Sequence, residues 1–276
     1  MEQTNITQPW DRETFLARLR SRSEIRMEQT NITQPWDRET FLARLRTIGI
    51  NQYHHKHPFH RYMNSGQLSP EQVRGWVANR FYYQEHIPIK DAAIISNCPI
   101  REVRRLWLHR ISDHDGFHEG TGGIEAWLKL ADATQLPREE LLDKRHILPG
   151  VRFAVDAYVN FARTQPWPTA IASYLTELFA PDLMQERLAA FEKYYTWVDP
   201  QGLEYFRSRI TQARIDSDQG LELTMTYCNT RALQKEAVKA LSFKCDVLWS
   251  MLDAMMQAYG SSVTSPHAER KRLASP

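Results

Sequence analysis

The sequence predicts an all-α protein: a compact single-domain bundle of about seven helices. Three observations carry this. Apolar residues recur at helical spacing along almost the whole chain after residue 46. Proline and hydroxyl residues stand where helices begin. Alternating β-branched runs, the mark of half-buried strands, are absent.

The elements follow in order. Ser69-Pro70-Glu71-Gln72 is a helix start, with Ser as N-cap, Pro in the first turn and Gln placed for a capping box. Val73, Trp76, Val77 and Phe81 follow at helical spacing, and Pro88 ends or kinks this helix. A second stretch covers 89–97 and stops at Asn97-Cys98-Pro99. A third, near 101–118, carries Val103, Leu106, Trp107 and Ile111, and the glycines from Gly116 to Gly123 break it. A short amphipathic helix spans 124–133, and Pro137 opens another turn. Pro149 opens a helix to about 162, and three further stretches cover 168–179, 182–195 and 200–215. The last, about 219–258, reads as one long helix.

Residues 1–20, MEQTNITQPWDRETFLARLR, recur unchanged at 27–46 after the spacer SRSEIR. Two identical copies do not make a solenoid, whose repeats diverge in sequence. The expected organisation is a duplicated extension at 1–26 outside the core, an all-α domain at 27–260, and a disordered tail at 261–276 without apolar periodicity. The second copy leads directly into the domain, so it is the one expected to pack.

Composition narrows the function. The chain has 276 residues, 42% of them hydrophobic, and a formal net charge of +2, so it lacks the global basic field of a nucleic-acid binder. Cys98, Cys228 and Cys245 are scattered and form no C-x-x-C pair, which points away from a disulfide framework or a thiolate zinc site. No apolar run has the length of a membrane span and no signal-peptide core opens the chain; the cytoplasm is the expected place.

Several polar residues interrupt apolar helices. Arg80, Tyr83 and Gln84 share one face. Lys90-Asp91 precedes an apolar run, where a lysine is a surface charge or the rim of a pocket. His54 stands in the histidine-rich run 53–60, read as a helix entry with one histidine turned into a pocket rather than as a metal site. His114 lies between Asp113 and Asp115 at a helix end, where both carboxylates and the helix dipole would favour the imidazolium and suit a tuned acid or base. Asp115 and His118 form a D-x-x-H pair, half of a di-iron motif, but no second E-x-x-H completes it. Tyr205 and Arg209 share a face, whereas Arg207 points elsewhere. Arg80, Lys90, Arg187, Arg209 and Lys244 fall on five separate stretches. If several converge, a cationic pocket in a nearly neutral protein selects a small ligand with several carboxylates.

At these residues the chain resembles the pyrroloquinoline-quinone synthase family. The resemblance is carried by Arg74-Gly75-Trp76-Val77-Ala78-Asn79-Arg80-Phe81-Tyr82-Tyr83-Gln84, Lys90-Asp91-Ala92-Ala93-Ile94 and Asp113-His114-Asp115-Gly116. Leu148 through Tyr158, Leu175 through Pro181, Tyr205-Phe206-Arg207-Ser208-Arg209 and Leu248 through Ala254 carry it further, so it covers roughly 47–260. It implies a haem-oxygenase-like bundle that forms a homodimer. It also implies a cofactor-free, oxygen-dependent ring closure of a bicyclic quinone precursor. The precursor loses eight electrons and eight protons, oxygen is the acceptor, hydrogen peroxide forms, and the product carries three carboxylates.

By position, the resemblance gives His54, Arg80, Tyr83, Gln84, Lys90, Tyr158, Glu177, Arg187 and Lys244 to the substrate pocket. It makes His114 the main proton-transfer residue and sets Tyr205 and Arg209 to hold oxygen or peroxide beside the ring. Met184 stands where the family carries a histidine, and a thioether neither donates a hydrogen bond nor moves a proton. No metal, nucleic acid or membrane enters this reading. Two other readings use the same residues: a di-iron oxygenase on the same scaffold, and a quinone carrier or sensor.

Overall fold

The computed structural model describes residues 33–260, apart from the side chains of residues 211 and 213–216. The first copy of the repeat and the tail from 261 lie outside the described residues. Among those described there are eleven α-helices rather than about seven, and no strand. They are α1 Arg38–Gln52, α2 Pro58–Asn64, α3 Pro70–Asn97, α4 Arg101–Asp115, α5 Gly122–Ala133, α6 Arg138–Leu142, α7 Pro149–Thr164, α8 Trp167–Ser173, α9 Ala180–Tyr194, α10 Glu204–Tyr227 and α11 Arg231–Tyr259. Short 3₁₀ turns, His54–Lys56, Tyr174–Phe179 and Pro200–Leu203, link them. No described helix is long and apolar enough to cross a membrane.

Two boundaries differ from the sequence expectation. The stretches on either side of Pro88 are one helix, α3. Its start is secured by the capping box: Ser69 Oγ accepts from the Gln72 amide at 3.2 Å and Gln72 Oε1 accepts from the Ser69 amide at 2.7 Å. Ile87 and Pro88 are both buried, so packing offsets the backbone bond the proline removes. Conversely, the stretch expected as one helix over 219–258 divides at Cys228–Thr230, and its first part continues the helix from Glu204. Thr230 is an N-cap whose hydroxyl accepts from the Leu233 amide at 3.2 Å, so α11 begins anew there.

The core is aromatic. Trp76, Trp127, Phe191 and Phe206 are fully buried, with Trp76 and Trp127 ring centroids 5.3 Å apart, and the Trp127 indole donates to the Val77 carbonyl at 3.0 Å. A second cluster joins α3, α4 and α8 through Ile94, Trp107, Ile171 and Tyr174. The described part of the second repeat copy packs on α11. Phe41 and Leu45 are buried, and Trp36 exchanges backbone bonds with the Gln234 amide at 2.6 and 2.9 Å. All three cysteines are buried and unpaired.

Candidate active site

One interior cavity gathers side chains from most of the bundle. It is lined by Tyr53, His54, Arg80, Tyr83, Ile87, His114, Thr176, Glu177, Ala180, Met184, Tyr205, Arg209 and Leu248. Arg80, Tyr83 and Ile87 come from successive turns of α3, because positions three and four apart share a helix face. His114 comes from the last turn of α4. Gly116, with φ 80°, stops that helix; a Cβ there would meet the Thr121 carbonyl oxygen at 2.4 Å. Glu177 comes from the 3₁₀ turn, and Tyr205 and Arg209 from α10.

Seven of the twelve expected site residues thus line this cavity: His54, Arg80, Tyr83, His114, Glu177, Tyr205 and Arg209. Three stand directly behind it. Gln84 Oε1 accepts from the Tyr205 hydroxyl at 3.1 Å, and Lys244 Nζ donates to the Tyr83 hydroxyl at 2.7 Å while lying 3.5 Å from the Tyr158 ring centre. Arg187 lines a smaller adjoining cavity, which shares His54 and Arg80 with the first. Its guanidinium donates to His60 Nε2 at 2.9 Å. Lys90 is neither at the surface nor on the cavity wall. It is 1% exposed and paired with Asp91, behind Tyr158.

The charge distribution is lopsided. Lys90, Arg110, Arg187, Arg209 and Lys244 are all buried, and they come from α3, α4, α9, α10 and α11. The acids among them are Asp91, which is fully buried, and Glu177, which accepts from Arg209 at 3.0 Å. Among the described residues no carboxylate pairs with Lys244. Its ammonium is pushed well down from the usual lysine range by burial first and then by Arg80 and Lys90. Burial likewise drives His54 and His60 well below the ordinary histidine value, and Arg187 down to about 10. Four buried polar atoms here have no hydrogen-bond partner: His54 Nδ1, His60 Nδ1, Gln84 Nε2 and Arg187 Nε. Unsatisfied buried donors beside a cationic cavity are what an anionic ligand would complete.

His114 corrects the sequence expectation. Its pKa is lowered to about 3, by burial first and then by Arg209 and Arg110. Asp113 and Asp115 flank it in sequence, yet both are exposed while the imidazole points inward. Nδ1–H donates to the Arg110 carbonyl at 3.0 Å, and with the pKa lowered Nε2 of the neutral ring is left as an acceptor. Asp115 and His118, the half-motif considered for di-iron, are both exposed. Among the described residues no three of His, Cys, Asp and Glu are grouped to hold a metal.

Sequence reasoning missed Asp91, Arg110 and His60. Arg110 is four residues before His114, hence on its face, and His60 is the last of the histidine run. Those spacings were the available signal.

The sequence profile of the TENA/THI-4/PQQC family matches residues 42–254. The chain belongs to that family. A pyrroloquinoline-quinone synthase of Cronobacter sakazakii is 58% identical over 207 residues, covering 75% of this chain and 82% of the relative. One from Pseudomonas aeruginosa is also 58% identical, over 75% of this chain and 83% of its own. Among solved structures, a domain with a heme oxygenase-like fold from Shewanella denitrificans superposes with a TM-score of 0.65 at 15% identity, covering 83% of this chain and 94% of that one. A TenA homologue from Pseudomonas syringae gives 0.63 at 15% identity, over 79% and 92%. At such low identity these two establish the fold of this chain alone, a haem-oxygenase-like bundle.

Proposed function

We propose that this chain is a pyrroloquinoline-quinone synthase. It closes and oxidises the bicyclic quinone precursor, with molecular oxygen as acceptor, hydrogen peroxide as the reduced product and no cofactor of its own. The identity to the Cronobacter and Pseudomonas synthases supports the reaction. The observation that supports it in this chain is the cavity walled by Arg80, Arg209 and His114, with Glu177 as its carboxylate and Lys244 behind it, paired with no carboxylate among the described residues. A small molecule bearing several carboxylates is the natural counter-ion for such a space.

The electrons come from the reduced ring, so the protein's work is pose, proton movement and charge. Arg80, Arg187, Lys244 and the histidines hold carboxylates. His114, entering neutral, accepts a ring proton on Nε2 once substrate anions offset the surrounding cations. Arg209 and Tyr205 stabilise negative charge that develops on oxygen. Tyr205 is aligned by Gln84, and Arg209 by Glu177. The chain acts as a cytoplasmic homodimer in this reading.

The test is direct. Chelator-treated protein is mixed with precursor without oxygen, then exposed to air. Conversion to product with peroxide release is the expected result. Binding without conversion makes the protein a carrier, and conversion only after iron is restored makes it a metal oxygenase.

A further inference from the structure

Asp91 is the most enclosed carboxylate of the described chain, at 0% exposure, and it lies outside the cavity wall. Its Oδ1 accepts from Lys90 Nζ and from the Trp107 indole at 2.7 Å, and its Oδ2 lies 3.6 Å from Arg110 Nε. The Arg110 guanidinium in turn sits 3.5 Å from the Tyr174 ring centre and donates to the Tyr174 hydroxyl oxygen. Two routes lead from this knot to the cavity. On one, the Lys90 ammonium is 5.6 Å from the Tyr158 ring, Tyr158 lies against Lys244, and Lys244 donates to Tyr83. On the other, the Arg110 backbone carbonyl holds Nδ1 of His114.

We infer that Asp91 is a positioning residue for the anion-binding cavity: it anchors the Lys90 ammonium and the Arg110–His114 turn without lining the site itself. The inference rests on the synthase reading above. The physical reason is the cost of a dry cation. A lysine 1% exposed and ringed by Trp107, Tyr158 and Tyr174 keeps its charge only with a fixed anion beside it. The groups facing Lys90 are Asp91 on α3, Arg110 on α4, Tyr158 on α7, Tyr174 and Glu177 around the end of α8, and Lys244 on α11. Of these, Asp91 supplies the contact anion; burial and Arg110 oppose the charged form and Asp91 favours it. With Asp91 neutral, Lys90 loses its proton at lower pH, and the side chain behind Tyr158 is no longer held in place by an ion pair.

The experiment is a double-mutant cycle on Asp91→Asn, Lys90→Met and their combination, read as product affinity from pH 6 to 10 and as thermal midpoint. Asp91→Asn should move the alkaline limb of product binding to lower pH and weaken binding about tenfold at pH 9. The double variant should bind no more than about twofold worse than Lys90→Met, because Asp91 acts through that lysine. An unshifted pH profile, or losses that add in the double variant, overturns the inference. If Asp91→Asn does not fold, the double variant should, since removing both charges of a buried pair is tolerated where removing one is not. A double variant that also fails to fold overturns it as well. A parent that binds no product defeats the synthase reading instead, and the cycle in thermal midpoint still decides whether Asp91 and Lys90 are coupled.

Discussion

Two hollows in this molecule invite comparison. One is a groove open to solvent beside the Pro200–Leu203 turn, lined by Lys129, Asp132, Trp197, Asp199 and Gln201. The other is the smaller interior cavity. The groove is larger, yet Lys129, Asp132, Asp199 and Gln201 are exposed and carry both signs of charge. Asp132 is paired with Arg138, and Asp199 accepts from the Gln201 amide. The cavity has fewer ångströms and more unanswered chemistry: buried cations, neutral histidines and orphan donors. Desolvated charge, rather than volume, identifies the site.

The largest effect should come from His114. His114→Asn keeps a hydrogen bond but cannot carry a proton, so turnover should fall on the order of a hundredfold while precursor still binds and the protein still folds. Single-turnover spectra of the variant check this. Parent rates across pH 6–9 would make His114 a helix-end residue like the exposed histidines.

Next comes charge inside the cavity. Arg209→Ala or Lys244→Met should weaken product binding about tenfold or more, the cost of a charge-assisted hydrogen bond lost in a dry place. Equilibrium titration measures it. Unchanged affinity in both would place the product elsewhere.

A smaller effect concerns acid. His54, His60 and His114 have folded pKa values below 6.5, so the unfolded chain binds more protons and stability is lost as pH falls below about 6.5. The thermal midpoint should therefore drop from pH 7 to pH 5, and saturating product should lessen the drop. Calorimetry at several pH values reads both. The smallest effect is reserved for the groove: Lys129→Ala should leave product affinity within about twofold, as expected for an exposed charge.

Much of this was legible beforehand. The Ser69–Gln72 box, the shared face of Arg80, Tyr83 and Gln84, and the pairing of Tyr205 with Arg209 follow from helical spacing, which is a local property. What spacing hides is depth. In sequence Lys90-Asp91 reads as a surface charge or the rim of a pocket, and in space it is a buried pair, because the neighbours that cover it come from α4, α7 and the turn after α8. His114 shows the same limit with opposite sign. Its sequence neighbours Asp113 and Asp115 suggested an imidazolium, but successive residues on a helix point about 100° apart. The aspartates take the solvent side, and Arg110 and Arg209 surround the ring instead. Pro88 and Thr230 misled about boundaries for a related reason: packing overrode a breaker at one, and a side-chain cap sufficed at the other.

The cavity holds buried basic groups whose protons are disfavoured until an anion arrives. Proton uptake on ligand binding tests it most directly. Product should be titrated into the protein at pH 7 by calorimetry in two buffers of different ionisation enthalpy. The account predicts net uptake of protons on binding, because carboxylates entering beside His54, His114 and Lys244 raise pKa values that burial had lowered. Binding with no proton exchange, or with release, would contradict it.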